Sequence, residues 1–312
     1  MANKKAKLIY IISQGHSGST LLDLICGTLP SVFSMGEMHF FSWQLKQGEV
    51  PEDLQTYCSC GMSFDKCEFW SNVLKQINDE YQIDIYKNPE RFNISINRGI
   101  VRHKKYMVHN LLNKAYSYAM RNSRFSFVNE IIYLFYKKSI KNTWSLYDKV
   151  AENSNCSFVV DSSKNFVRYM LLKRFRPNDV KMIVLKRDIK GVASSSHHGL
   201  NEYVIRKRAK GWNKFYNKKI PALLSGLSEE EYMVVKYEDM CRDYNELRRN
   251  VANWLKIEGN IDDINHISPY NYHTVQGNPM RLLKKDIKIR FDERWKERLS
   301  EEQINWLNNL IE

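Results

Sequence analysis

The chain has 312 residues, 43% of them hydrophobic and 12% aromatic, which excludes a disordered protein and suits one large α/β domain or two small ones. Its 48 Lys and Arg against 35 Asp and Glu give a net charge of +13, a balance that favours acidic partners: nucleic acid, an anionic membrane or a polyanionic small molecule. No apolar run approaches the ~18 residues of a membrane span, and the run Leu8–Ile12 is too short for a signal-peptide core, so no membrane association and a cytoplasmic location are expected.

Leu8–Ile12 reads as a buried strand, and Thr20–Thr28 as a helix stopped by Pro30. Between them lies the turn Gln14-Gly15-His16-Ser17-Gly18-Ser19-Thr20. Residues 41–155 look mostly helical and aromatic-rich, as in MVHNLLNKAYSYAM, and read as a helical insertion over the ligand-binding end of a sheet. A strand follows at Phe158–Ser163 with a helix over Asn165–Phe175. The next strand is Lys181–Asp188, leading into a helix over IKGVASSSHHG. The last is Glu231–Met240, with a helix through about Leu255. Strands alternating with helices predict an α/β fold over residues 1–312, a central parallel sheet flanked by helices and interrupted by that insertion.

A strand, a glycine turn and a helix together offer backbone N–H groups and the positive end of a helix dipole to an anion. The ATP-binding form, G-x-x-x-x-G-K-[ST], fails here at two defining positions, with Ser13 in place of the first glycine and Ser19 in place of the lysine. Such a turn also serves simply to pack a helix on a sheet. The later strands favour the anion. One ends in Asp161-Ser162-Ser163-Lys164, and another ends in Arg187 with Ser195 eight residues on. Arg suits phosphate because its planar fork gives two parallel hydrogen bonds.

This set resembles the sulfotransferase family, which uses 3′-phosphoadenosine 5′-phosphosulfate and has a P-loop-like three-layer fold. The resemblance covers both ends of the chain and its middle, but not residues 41–155. It implies that Gly15, His16, Ser17, Gly18, Ser19 and Thr20 cradle the 5′-phosphosulfate and that Arg187 and Ser195 hold the 3′-phosphate. Lys236–Met240 (KYEDM) resembles the family's Tyr-Glu-Asp strand, and Gly277, Asn278 and Arg281 resemble its C-terminal cofactor loop. Where the family has Lys or Arg before Ser-Gly, this chain has His16, a partly charged group near neutral pH that still donates a hydrogen bond or proton to the leaving phosphate. The implied reaction moves a sulfuryl group to a hydroxyl, or secondarily an amine, of a small molecule or glycan. No metal is required. The product is adenosine 3′,5′-bisphosphate.

The resemblance assigns the catalytic base to Glu37, just past the first helix. His39, two residues on, is the alternative, with an ordinary pKa better matched to neutral pH. Lys164 is placed at the transferred sulfuryl group or the leaving oxygen. Cys58, Cys60 and Cys67 lie within ten residues. Three thiols this close would suit zinc or a disulfide, but the C-x-C spacing is unusual and no fourth ligand stands out, so free thiols packing a loop are expected. The aromatics of 41–155 are expected in the core, with a few lining an acceptor pocket. Two rival readings stay open. An ATP-dependent kinase is opposed by the missing lysine, and a non-catalytic anion- or nucleic-acid-binding protein by the lack of any RNA- or DNA-binding motif.

Overall fold

The computed structural model describes residues 5–45, 57–96, 126–195 and 201–310, with Leu111 and Ala115. Its frame is a five-stranded sheet: β1 Lys7–Ser13, β2 Val32–Ser34, β3 Phe158–Asp161, β4 Val180–Lys186 and β5 Tyr232–Lys236, in the order β2-β3-β1-β4-β5. Every pairing is parallel. The central strands are unbroken apolar runs because both sheet faces are covered. β1 sends alternate residues into two cores. Leu8, Tyr10 and Ile12 join one face, and Ile9 and Ile11 the other.

Among the described residues the helices used below are, in chain order, α1 Ser19–Gly27, α2 Glu68–Tyr81, α3 Ser126–Asn153, α4 Phe166–Phe175, α5 Ile189–Ala193, α6 Glu202–Lys214, α7 Tyr237–Arg242, α8 Tyr244–Leu255 and α9 Glu301–Asn309, with other short helical segments between them. α1 and α8 cover the face of Ile9 and Ile11 through Leu22, Ile25, Val251 and Leu255. The other face carries α3, α4 and α6, with Trp144, Tyr147, Leu171 and Trp212 against the sheet. Helix α3, read from sequence as part of an insertion over the ligand end, therefore supplies core to the sheet's own flank. Among the described residues no helix is long and apolar enough to cross a membrane.

From β1 the chain builds β2 and β3 on one side and then β4 and β5 on the other. The carboxyl end of β1 is thus the point where the winding reverses, and a crevice opens there in sheets of this kind. Three local expectations change. β2, only three residues long, carries no periodic signal and was not anticipated. Tyr237, Glu238 and Asp239 lie in the first turn of α7, because β5 ends at Lys236. Ser195 lies beyond the short α5, which stops at Ala193.

Candidate active site

The loop after β1 is held from below and covered from above. The Gln14 N–H donates to the Tyr216 hydroxyl oxygen (3.2 Å), and the Tyr216 hydroxyl donates to the Leu185 carbonyl on β4 (2.6 Å). Ser17 is fully buried, its hydroxyl 3.5 Å from that of Tyr216. Gly18 has φ 88°, and a Cβ there would stand 2.6 Å from the Tyr237 ring, so both backbone and space demand glycine. Gly18 is also the N-cap of α1 and contributes no side-chain cap, which leaves the helix start to other acceptors. The Asn278 N–H donates to Thr20 Oγ1 (2.9 Å), drawing the 277–278 turn over the start of α1.

A buried charge network shapes the neighbouring strand end. Asp161, the last residue of β3, is fully buried. Its Oδ2 accepts from Arg168 Nε (3.0 Å) and from the Tyr147 hydroxyl (2.5 Å). Its Oδ1 accepts the Ser163 N–H (2.9 Å) and the Met38 N–H (3.4 Å). One carboxylate thereby ties residues 162–164 to the segment carrying Glu37. Lys164 adopts left-handed backbone (φ 61°), and its ammonium pairs with Glu37. Beside them the buried Asp23 of α1 accepts from Ser34 Oγ (2.5 Å) and Ser162 Oγ (2.6 Å). Burial pushes its pKa up to about 7, against those hydrogen bonds.

Arg187 follows β4 directly. Its Nη1 donates to the His16 carbonyl (3.0 Å) and its guanidinium lies 4.3 Å over the Tyr237 ring. Nη2 donates to the Asp292 carboxylate (3.1 Å) and carbonyl (3.2 Å). Hydrogen bonds from Arg294 and from Arg187 hold Asp292 well below the usual carboxylate range. A Cβ on Gly191 would stand 2.6 Å from Arg187 Nε, so the first turn of α5 has to be bare for the arginine to lie there.

These parts line one open cleft of about 610 Å³ at the carboxyl edge of the sheet. One wall is the loop and the start of α1, another Arg187 and Ser195, and a third Glu37 and Lys164. The segment 287–294 closes the remaining side. Five cations (Lys164, Arg187, Lys288, Arg290 and Arg294) face two carboxylates, Glu37 and Asp292. Such a lining concentrates a polyanion.

A family model described as the sulfotransferase family matches residues 9–263. The chain belongs to the sulfotransferase family. Among solved structures it is similar to the sulfotransferase domain from the curacin biosynthetic pathway, at 18% identity over 98% of this chain and 97% of that one (TM-score 0.47). It is also similar to the sulfotransferase domain of the Synechococcus PCC 7002 olefin synthase, at 14% identity over 100% and 97% (TM-score 0.49). A search of curated proteins finds no match.

In this sulfotransferase-family chain Gly15, His16, Gly18, Ser19, Thr20, Glu37, Lys164, Arg187, Ser195, Gly277 and Asn278 all come together at the cleft. Three expected site residues stand apart. Ser17 is buried under the loop. His39 is 6% exposed and does not line the cleft; its backbone N–H donates to Ser163 Oγ (3.0 Å) and its ring lies 3.9 Å from that of Phe40. Arg281 is fully buried and gives Nη1 to the carbonyls of Tyr57 (2.9 Å) and Thr274 (3.0 Å), so it braces the loop from behind, with its pKa pushed down to about 10 by burial. Sequence reasoning missed Lys288, Arg290, Asp292 and Arg294. The signal was present in the basic run RLLKKDIKIRFDER, which no strand or helix pattern marked as structured.

Proposed function

We propose that the protein transfers a sulfuryl group from 3′-phosphoadenosine 5′-phosphosulfate to a hydroxyl of a small-molecule or glycan acceptor. The observation that carries this reading is the cleft itself. A lysine-free turn, an arginine–serine pair and a carboxylate–ammonium pair line one cavity. The residues fit the donor. The turn from β1 to α1 presents only small residues (Gly15, Gly18, Ser19 and Thr20) beside His16 to the cleft, and the lining carries excess positive charge.

In this reading the N–H groups of residues 15–20 and the dipole of α1 hold the 5′-phosphosulfate, while Arg187 and Ser195 hold the 3′-phosphate. When bound, the donor supplies the sulfuryl group, and its phosphate remains with the leaving bridging oxygen. Glu37 accepts the proton of the attacking hydroxyl. Lys164, already paired with Glu37, offsets charge at the transferred group, and His16 donates to the leaving oxygen. Glu37 is preferred to His39 because Glu37 lines the cleft and His39 does not.

The test is transfer from radiolabelled donor to panels of alcohols, phenols, amines and sugars. Glu37→Gln should lower turnover roughly 10²–10⁴-fold, the usual cost of losing a general base, and leave binding of adenosine 3′,5′-bisphosphate near normal. A Glu37→Gln enzyme with wild-type turnover, beside a folded but inactive His39→Ala enzyme, would transfer the role to His39.

A further inference from the structure

We propose that Cys58, Cys60, Cys67 and His273 form a structural site for one zinc ion. Their four candidate ligand atoms lie within 4.8 Å of one another. His273 Nδ1 is 3.5 Å from Cys58 Sγ and 3.3 Å from Cys67 Sγ. In tetrahedral zinc with Zn–S of ~2.3 Å and Zn–N of ~2.0–2.1 Å, sulfur and nitrogen ligands stand ~3.6 Å apart and two sulfurs ~3.8 Å. The imidazole therefore already sits at coordination spacing from two thiols, and a contraction of about 1 Å would bring the widest pair within range. Sequence reading expected free thiols for want of a fourth ligand. His273, 206 positions beyond Cys67, supplies it.

The surroundings are built for a closed site. The Cys58 N–H donates to the Met62 carbonyl (3.0 Å) and the Gly61 N–H to the Cys58 carbonyl (2.9 Å), a tight turn that brings Cys60 back beside Cys58. Cys67 occupies the N-cap position of α2 without a side-chain cap hydrogen bond. The Trp70 indole N–H donates to the His273 carbonyl (2.7 Å), and the Phe69 ring stacks on the imidazole at 5.1 Å, fixing its plane. Cys58 and Cys67 are buried. Three thiolates and one imidazole complete a tetrahedron with no position for substrate, which is the pattern of structural zinc. Coordination needs only loss of the thiol protons and no oxidant. The one net negative charge of the loaded site would lie near Arg281, whose buried guanidinium binds the Tyr57 carbonyl just before Cys58.

The ion would staple residues 58–67 to residues 272–278. Ser59 already bridges the two, accepting from the Thr274 N–H (2.9 Å) and donating to the Tyr272 carbonyl (2.5 Å). From this staple the chain runs four residues to Gly277 and Asn278, which cover the start of α1. The site would thus hold one wall of the cleft in place without taking part in chemistry.

The experiment measures metal in the full chain purified under reducing conditions and then dialysed against zinc buffered by a competing chelator. One zinc per chain is expected in the wild type, and a sharp loss in Cys67→Ser and His273→Ala. Cobalt exchanged into the wild type should give the absorption of a tetrahedral thiolate site. Removing zinc with a strong chelator should lower the unfolding temperature of the wild type and leave any folded Cys67→Ser protein unmoved. A reduced, folded wild type that carries no zinc and takes none from the buffer would overturn the proposal. So would zinc retained equally by both variants, or a native disulfide among these cysteines found by mass spectrometry.

Discussion

Arg187 pairs with the Asp292 carboxylate through Nη2, the same guanidinium that the proposed 3′-phosphate contact requires. The pair makes two opposed predictions in a calorimetric titration with adenosine 3′,5′-bisphosphate. Arg187→Ala should weaken binding by roughly 1.5–3 kcal/mol, the worth of a charge-assisted contact. Asp292→Asn should tighten it by about 1 kcal/mol, because an anion competing for the same guanidinium is removed from a partly exposed pair. Weaker binding in Asp292→Asn would instead make Asp292 a residue that orients Arg187. The loop's side of the arrangement was legible from sequence, because strand, turn and helix are contiguous and Arg187 directly follows an unmistakable apolar strand. Asp292 was not, because it lies over a hundred residues away in a segment with almost no regular structure, and only the fold brings it to Arg187.

At the scale of elements, α1, β2 and β3 meet at one buried carboxylate. Asp23 on α1 accepts hydroxyl hydrogen bonds from Ser34 on β2 and from Ser162 just after β3. Its pKa is raised from 3.8 to about 7, so the folded protein keeps a proton that the unfolded chain has lost. The stabilising contribution of this proton is fully present below the unfolded value and disappears as pH rises through about 7. Urea unfolding across this window should show wild-type stability falling with pH by an increment that Asp23→Asn lacks. Parallel pH profiles for the two proteins would contradict the assignment. The Asp161–Arg168–Tyr147 network is of the same kind, invisible as a pattern because its partners come from β3, α4 and α3. It explains a feature that was legible, the Asp-Ser-Ser-Lys sequence, since Asp161 fixes the turn from which Lys164 reaches Glu37.

For the whole molecule, periodicity revealed four of the five strands and their parallel arrangement, because each is a short apolar run between turn residues. The two-faced burial of the sheet then follows from helices following strands. What the sequence concealed is long-range: α3 as a flank of the sheet, Arg281 turned inward as a brace, and the partner of the three cysteines. Each depends on segments that meet only after the fold closes. The central claim is that this cleft recognises a nucleotide carrying a 3′-phosphate, with no metal ion. It is tested most directly by thermal unfolding in buffer without magnesium or any other added metal, with adenosine 3′,5′-bisphosphate compared with 5′-AMP. Bisphosphate at a hundred times its Kd should add roughly 2.7 kcal/mol of stability, and 5′-AMP at the same concentration much less. An equal shift with the two nucleotides would show that Arg187 and Ser195 do not read the 3′-phosphate and would contradict the account.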